Sequence, residues 1–315
     1  MSETAPPAPS TSVCVGDGVV RAGGCSWADR TLVRDGGFYP RRSMTARERL
    51  AYYAEQFAVA EVAATYRFPP TPQVCSQWVE RTPPGFVLDV RAWSLLSGCP
   101  TLPDSLWPDL RRAVPPERRD RRRLYSSHLS QEVLHECWAR FRHALQPLVD
   151  AGRLGGVLLR YPSWWGPRPD TWAELAALPA RLPGVRLAVE LPEQRWLEGD
   201  GADGTLEWLD ARGIGLVCCD GPPRPGVPPG PSVVAATAEL SVVRFRGRRR
   251  VDGEAGTWPY RYERAELAGW VPAIRDLASP GSEVHVLFDN GYRGDAVDNA
   301  RTFLELLRRP SAEVA

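Results

Sequence analysis

Residues 284–307 read VHVLFDNGYRGDAVDNARTFLELL. A nearly continuous apolar run stops on Asp289 and Asn290, a glycine-bounded loop follows, and then apolar residues recur at helical spacing. A strand with apolar residues at both parities is buried on both faces, as in a parallel sheet covered by helices. The segment is therefore one βα unit, and its last strand residues lie where the chain leaves the sheet.

Upstream, the same unit recurs. Short β-rich runs occupy 19–24 (VVRAGG), 59–64 (VAEVAA), 86–90 (FVLDV), 154–160 (LGGVLLR), 186–191 (RLAVEL), 215–220 (GLVCCD) and 239–246 (ELSVVRFR). Amphipathic stretches lie between most of them, including 45–57, 71–81, 130–152, 170–182, 205–213 and 264–278. With the run at 284–290, this makes eight strands in a chain of 315 residues, which predicts an α/β fold of the TIM type, a closed (β/α)8 barrel. A doubly wound open sheet is the alternative, but GGCSW after the first strand is not its glycine fingerprint. The expected organisation is a single barrel domain over 13–309 with a helical excursion between strands 3 and 4. A disordered Pro/Ser/Thr-rich tail (1–12) precedes it and a short tail (310–315) follows.

The formal net charge of +1 gives no global attraction to nucleic acid or membrane, and no apolar run is long enough to span a bilayer. The N-terminus lacks the basic start and apolar core of a secretory signal, and the seven cysteines form no CxxC; reduced thiols and a cytoplasmic location are expected. Lysine is absent, so every basic side chain is arginine and Schiff-base chemistry is excluded. The basic stretch RRAVPPERRDRRRLY (111–125) reads as a solvated surface, with a nucleic-acid partner as the alternative.

Barrel enzymes of this type work at the C-terminal ends of their strands. Those ends carry Trp27, Glu61, Arg91, Arg160, Glu190, Asp220, Arg246 and the Asp289–Asn290 pair. Buried charges must be paired, hydrated or occupied by a ligand. A self-neutralised ion network is one reading; a pocket for an anion held by Arg91, Arg160, Arg244 and Arg246, lined by Trp27, Asp289 and Asn290, is the other. Arg244 and Arg246 share a strand face, the GRRR loop (247–250) extends the charge, and Asp295 is the expected N-cap of the last helix; these parts would form a phosphate cradle. Glu61 and Glu190 are the candidate catalytic pair for a hydrolase, although their strands, the second and fifth, are not neighbours. Trp27, Trp93, Trp164, Trp165, Trp196 and Trp258 fall in or near mouth loops, where rings stack on ligands or close the barrel. Three histidines (His128, His135, His143) lie in the excursion and His285 starts its strand, so no multi-histidine metal centre is expected, and no cofactor is identified.

The chain resembles the YecE-like proteins (domain of unknown function 72) over about residues 19–308. The likeness rests on GGCSWADRTLV with GGFYP, RLAYYAEQFAVAEVAATY, WVERTPPGFVLDVRAWSLLSGCPT, GGVLLRYPSWW, RLPGVRLAVE, VVAATAELSVVRFRGR, YRYERAEL and VHVLFDNGYRGDAVDNA. The resemblance implies a TIM barrel of unestablished activity. Trp27, Tyr39, Glu61, Thr65, Glu190, Trp196, Arg244, Asn290, Gly294 and Asn299 match the family pattern. That pattern has Asp or Asn at Ala63, Lys at Arg91, His at Cys99, Gln at Arg160, Phe-Arg-His at Leu191–Pro192–Glu193, His at Arg246 and Asn at Asp289. Imidazoles that exchange protons near neutrality are thus replaced by groups that do not. Binding of an anionic ligand with lost or altered chemistry follows as the leading expectation; hydrolysis of a phosphoester or glycosidic bond is the alternative, and whether the chain turns over substrate is left open.

Overall fold

A computed structural model of the protein describes residues 11–119, 121–192, 194–199, 201–222, 233–248 and 259–309. The tails (1–10, 310–315), the Pro-rich connection 223–232, Glu193, residues 249–250 of the GRRR loop and Trp258 lie outside the described residues.

The strands are β1 (Ser12–Val15), β2 (Gly18–Gly24), β3 (Val59–Val62), β4 (Val87–Arg91), β5 (Leu154–Arg160), β6 (Leu187–Glu190), β7 (Ile214–Asp220), β8 (Leu240–Phe245) and β9 (Glu283–Phe288). They form one sheet in the order β1-β2-β9-β8-β7-β6-β5-β4-β3, parallel throughout except for the β1–β2 hairpin. Each expected strand coincides with one of β2–β9; β1 was not anticipated.

The closed barrel is not what forms. The protein has a curled, mixed nine-stranded sheet, and no ladder joins β2 to β3. The reason lies in Tyr53, on the helix Ala46–Gln56. Its hydroxyl accepts from Gly24 N–H (2.6 Å) and reaches Val59 O (3.5 Å), so a side chain stands where backbone pairing would close the ring. The strands come close here only because residue 23 is glycine; a Cβ there would lie 2.0 Å from Val59 O. Helix propensity and capping explain the covering layer: Thr45 and Glu48 form a reciprocal capping box, and Pro72 opens the helix Pro72–Glu80 behind Thr71. Between β4 and β5 the expected excursion appears as the helices Pro108–Ala113, Pro116–Arg119 and Gln131–Asp150. Among the described residues no helix is long and apolar enough to cross a membrane.

Strand parity divides the interior. Residues such as Ala22, Ala60, Val90, Leu159, Val189, Val243 and Val286 pack against the helices. On the opposite, concave face a thin apolar band of Cys25, Val59, Leu158, Ala188, Val217, Val242 and Leu287 is sandwiched between charged tiers. The tier at the strand starts joins His285 to Asp89 and Glu283, with Arg21 and Arg186 on Glu283. The tier at the strand ends is the candidate site.

Candidate functional site: an arginine–carboxylate tier at the strand ends

Alternation along each strand decides which residues meet. Counting by twos on the concave face gives Cys25, Glu61, Arg91, Arg160, Glu190, Cys219, Arg244, Arg246 and Asp289. Glu61 is fully buried between two guanidiniums: Arg91 Nε donates to Oε1, and Arg244 Nη1 donates to Oε2 at 2.5 Å. The same Arg244 sets Nε 3.3 Å from Glu190 Oε2, while Arg160 Nε is 3.1 Å from Glu190 Oε1 and Arg246 Nη2 donates to that oxygen. Asp289 sits more loosely, its Oδ2 3.5 Å from Arg91 Nη2 and 3.7 Å from Arg244 Nη1. Cys25 fills the remaining gap, its Sγ 3.2 Å from both Glu61 Oε2 and Arg244 Nη1.

The tier is graded in depth. Glu61, Arg244 and Glu190 form a sealed floor with side chains 0–5% exposed, whereas Arg91, Arg246, Asp289 and Arg160 open progressively to solvent, from 13% to 44%. In formal charge it holds four guanidiniums against three carboxylates, one positive charge in excess.

Electrostatics lock the two glutamates as anions. Burial pushes Glu61 upward, but Arg244 and Arg91 outweigh it and bring its pKa down to about 2. Glu190 likewise is raised by burial, then lowered to about 2 by Arg246, Arg160 and Arg244. Burial, with Asp289 and Glu61, holds the Cys25 thiol well above its usual value, and burial with Glu190 pushes Cys219 up to about 12. Neither glutamate nor either thiol is set to exchange a proton near neutral pH.

Two expected site residues face elsewhere. Asn290 follows Asp289 by one position and so points to the helix side, where its Nδ2 donates to Tyr260 O and to Asn299 Oδ1, both at 2.8 Å. Asp220 is turned the same way, accepting from Tyr262 Oη (3.0 Å), Trp270 Nε1 (3.0 Å) and Arg248 (2.6 Å). This corrects the expected phosphate cradle. Arg248 is spent on Asp220 and Glu266 instead of extending the positive mouth. Gly294, not Asp295, is the N-cap of the helix Asp295–Arg308, and Asp295 and Asp298 in its first turn face Arg261.

The tryptophans mostly close the structure. Trp27 packs edge-on against Trp78, its carbonyl accepting from Tyr39 Oη; Trp93 donates to Ser105 Oγ; Trp165 stacks between Tyr161 and Trp196. Trp164, 58% exposed, is the mouth tryptophan among the described residues that stays open to solvent. In the excursion, Arg111 pairs with Asp104, and Arg118 and Arg119 donate to backbone carbonyls, whereas Arg121, Arg122 and Arg123 are exposed.

Beside the tier, between the loops after β2 and β9, is a cavity of about 170 Å³ walled by Leu32, Ala63, Phe288 and Val297, with Cys25 and Asp289 shared with the tier. The two loops interlock there: Thr31 Oγ1 donates to Gly291 O (3.0 Å) and accepts from Arg293 N–H (2.8 Å). Among the described residues no group of three His, Cys, Asp or Glu side chains is disposed to hold a metal ion.

Sequence reasoning missed Cys25 and Cys219, and the parity count from Glu61 and Arg244 was the signal that finds them. The same count separates Asp289 from Asn290 and Arg246 from Asp220.

A curled, mostly parallel sheet with an arginine–carboxylate tier at its strand ends defines the class, an α/β protein with its candidate site where parallel sheets carry theirs. The chain belongs to the family described as "Protein of unknown function DUF72", whose model matches residues 21–314. It is similar to the UPF0759 protein YunF of Bacillus subtilis (strain 168), at 25% identity over 291 residues, 89% of this chain and 92% of that protein. Crystal structures of DUF72 family proteins share the fold. One from Enterococcus faecalis V583 gives a TM-score of 0.72 at 21% identity, covering 92% of this chain and 96% of that one. One from Thermotoga maritima MSB8 gives 0.69 at 24% identity, covering 92% and 99%.

Proposed function

We propose that the protein binds a small anion, phosphate- or carboxylate-bearing, on the open side of this tier. Arg91, Arg160 and Arg246 grip the anion, while Glu61 and Glu190 hold the guanidiniums in place from below. One observation carries this reading: four guanidiniums meet three carboxylates, and Glu61 and Glu190 are sealed on the floor while Arg91, Arg246 and Arg160 reach solvent. An anion arriving from solvent meets donors first and neutralises the excess charge.

The acid/base hydrolase reading is weaker. Glycoside cleavage needs one carboxyl kept protonated beside a second that is ionised. Glu61 and Glu190 are both held near pKa 2, and the Arg244 guanidinium occupies the space between them.

The test is isothermal titration with inorganic phosphate. Arg246→Ala removes a charge-assisted donor worth roughly 1.5–3 kcal/mol, so affinity falls by about tenfold or more. Circular dichroism checks that the variant stays folded. Unchanged affinity in Arg246→Ala, or no binding of phosphate or acetate by the wild-type protein, overturns the reading.

A further inference from the structure

The tier is not uniformly an anion receptor. Asp289 stands at its edge, 29% exposed, with Oδ2 turned toward Arg91 and Arg244 at 3.5 and 3.7 Å. Among the described residues Oδ1 has no hydrogen-bond partner. Both contacts are longer than a charge-assisted hydrogen bond of roughly 2.7–2.9 Å. Asp289 is therefore an accepting carboxylate with capacity left over, set beside Arg91 and Arg244.

The neighbouring cavity gives this pairing a direction. Asp289 and Cys25 belong both to the cavity wall and to the tier, so the cavity abuts the charged groups directly. The rest of the wall is largely apolar, with Leu32, Ala63, Phe288 and Val297, although Ser26 and Arg293 also border it. A cavity of about 170 Å³, well above the roughly 10–15 Å³ that one water needs, has room for a short aliphatic or small ring substituent. Asp29, also on the wall, caps its own helix, its Oδ1 accepting from Thr31 N (2.8 Å) and Leu32 N (3.2 Å). Of the two wall carboxylates, Asp289 is the one that also faces the arginines of the tier.

From this juxtaposition we infer that the ligand is a small zwitterion of the amino-acid type. Its anionic group lies on Arg91, Arg160 and Arg246, its ammonium on Asp289 Oδ1, and its apolar substituent in the cavity between the loops after β2 and β9. This rests on the anion-binding reading and narrows it. Because Arg91 Nη2 and Asp289 Oδ2 are 3.5 Å apart, the opposite charges of the ligand must be adjacent too, as in an α- or β-amino acid and not in a long ω-amino acid. A simple anion would leave Asp289 facing it across the site, a like-charge contact that an ammonium converts into an attraction.

The experiment compares matched pairs by calorimetry: the aliphatic and aromatic L-amino acids, each against the corresponding acid without the amine, such as leucine against 4-methylpentanoate. The wild-type protein binds at least one amino acid about tenfold tighter than its amine-free partner, and Asp289→Asn brings that pair to near parity by weakening the amino acid alone. If amine-free acids bind as tightly as their amino acids across the panel, or Asp289→Asn leaves the preference intact, the zwitterion inference is overturned while anion binding stands. If neither the acids nor inorganic phosphate binds, the anion reading falls as well. Arg160→Ala, at the solvent edge, separates the two: it weakens both members of a pair by the same factor.

Discussion

His285 sits fully buried at the starts of the strands, and its protonation is written into the fold. Its Nδ1 lies 2.8 and 3.0 Å from the two oxygens of Asp89, and its Nε2 lies 3.1 Å from Glu283 Oε1. Arg21, from β2, and Arg186, just before β6, face Glu283 and share its charge. Burial lowers the affinity of the ring for its second proton, but Asp89 and Glu283 outweigh it and raise the pKa to about 9. The folded state thus binds that proton more tightly than the unfolded chain, whose histidine titrates near 6.5. The resulting stability is fully present below about pH 6.5 and is lost as pH rises through about 9. A shift of this size corresponds to about 3 kcal/mol in all, of which about 2 kcal/mol disappears between pH 6.5 and 8.5. Unfolded-chain thiols begin to titrate in the same window while the buried cysteines keep their protons in the fold, so the imidazole is read from the difference between the wild type and a variant that lacks it. Urea denaturation at half-unit intervals, in the wild type and in His285→Gln, measures the effect as a difference in slope. The wild type loses about 2 kcal/mol more across the window than the variant does. Equal slopes would refute the claim that a protonated imidazole bridges Asp89 and Glu283.

Two further perturbations test the architecture. Tyr53→Phe leaves the buried Gly24 N–H without its acceptor across the β2–β3 gap, and chemical denaturation should show a loss of about 1–3 kcal/mol. Gly155→Ala would set a methyl group 2.4 Å from Asp89 Oδ1 and 3.0 Å from His285 Cε1, so it should cost about 1–3 kcal/mol and flatten the pH dependence just described.

The expected βα units and the observed ones agree because burial on both faces writes a strand as a continuous apolar run, which the neighbouring helices then interrupt. LGGVLLR at 154–160 is a strand over those same residues, and GLVCCD at 215–220 extends by one residue to Ile214. β1 escaped notice because SVCV is short, half-exposed and alternating, and acquires its identity by pairing with β2. The site was legible as a set of charges at strand ends, and its internal arrangement was not. Glu61, Arg91, Arg160, Glu190, Arg244, Arg246 and Asp289 do share one tier, whereas Asn290 and Asp220 sit one parity step away among helix residues.

By itself the sequence determined the α/β class, the positions of eight strands, and which charged residues stand where strands end. Those are local properties, set by apolar periodicity and by the place where each run stops. Tertiary structure alone decided that the sheet stays open between β2 and β3, that Arg244 bridges Glu61 and Glu190, and that Asp289 keeps a free oxygen beside an apolar cavity. Each depends on how strands distant in the chain approach one another, through a glycine that admits a carbonyl, a tyrosine that bridges a gap, and charges whose partners lie 30 to 198 residues away.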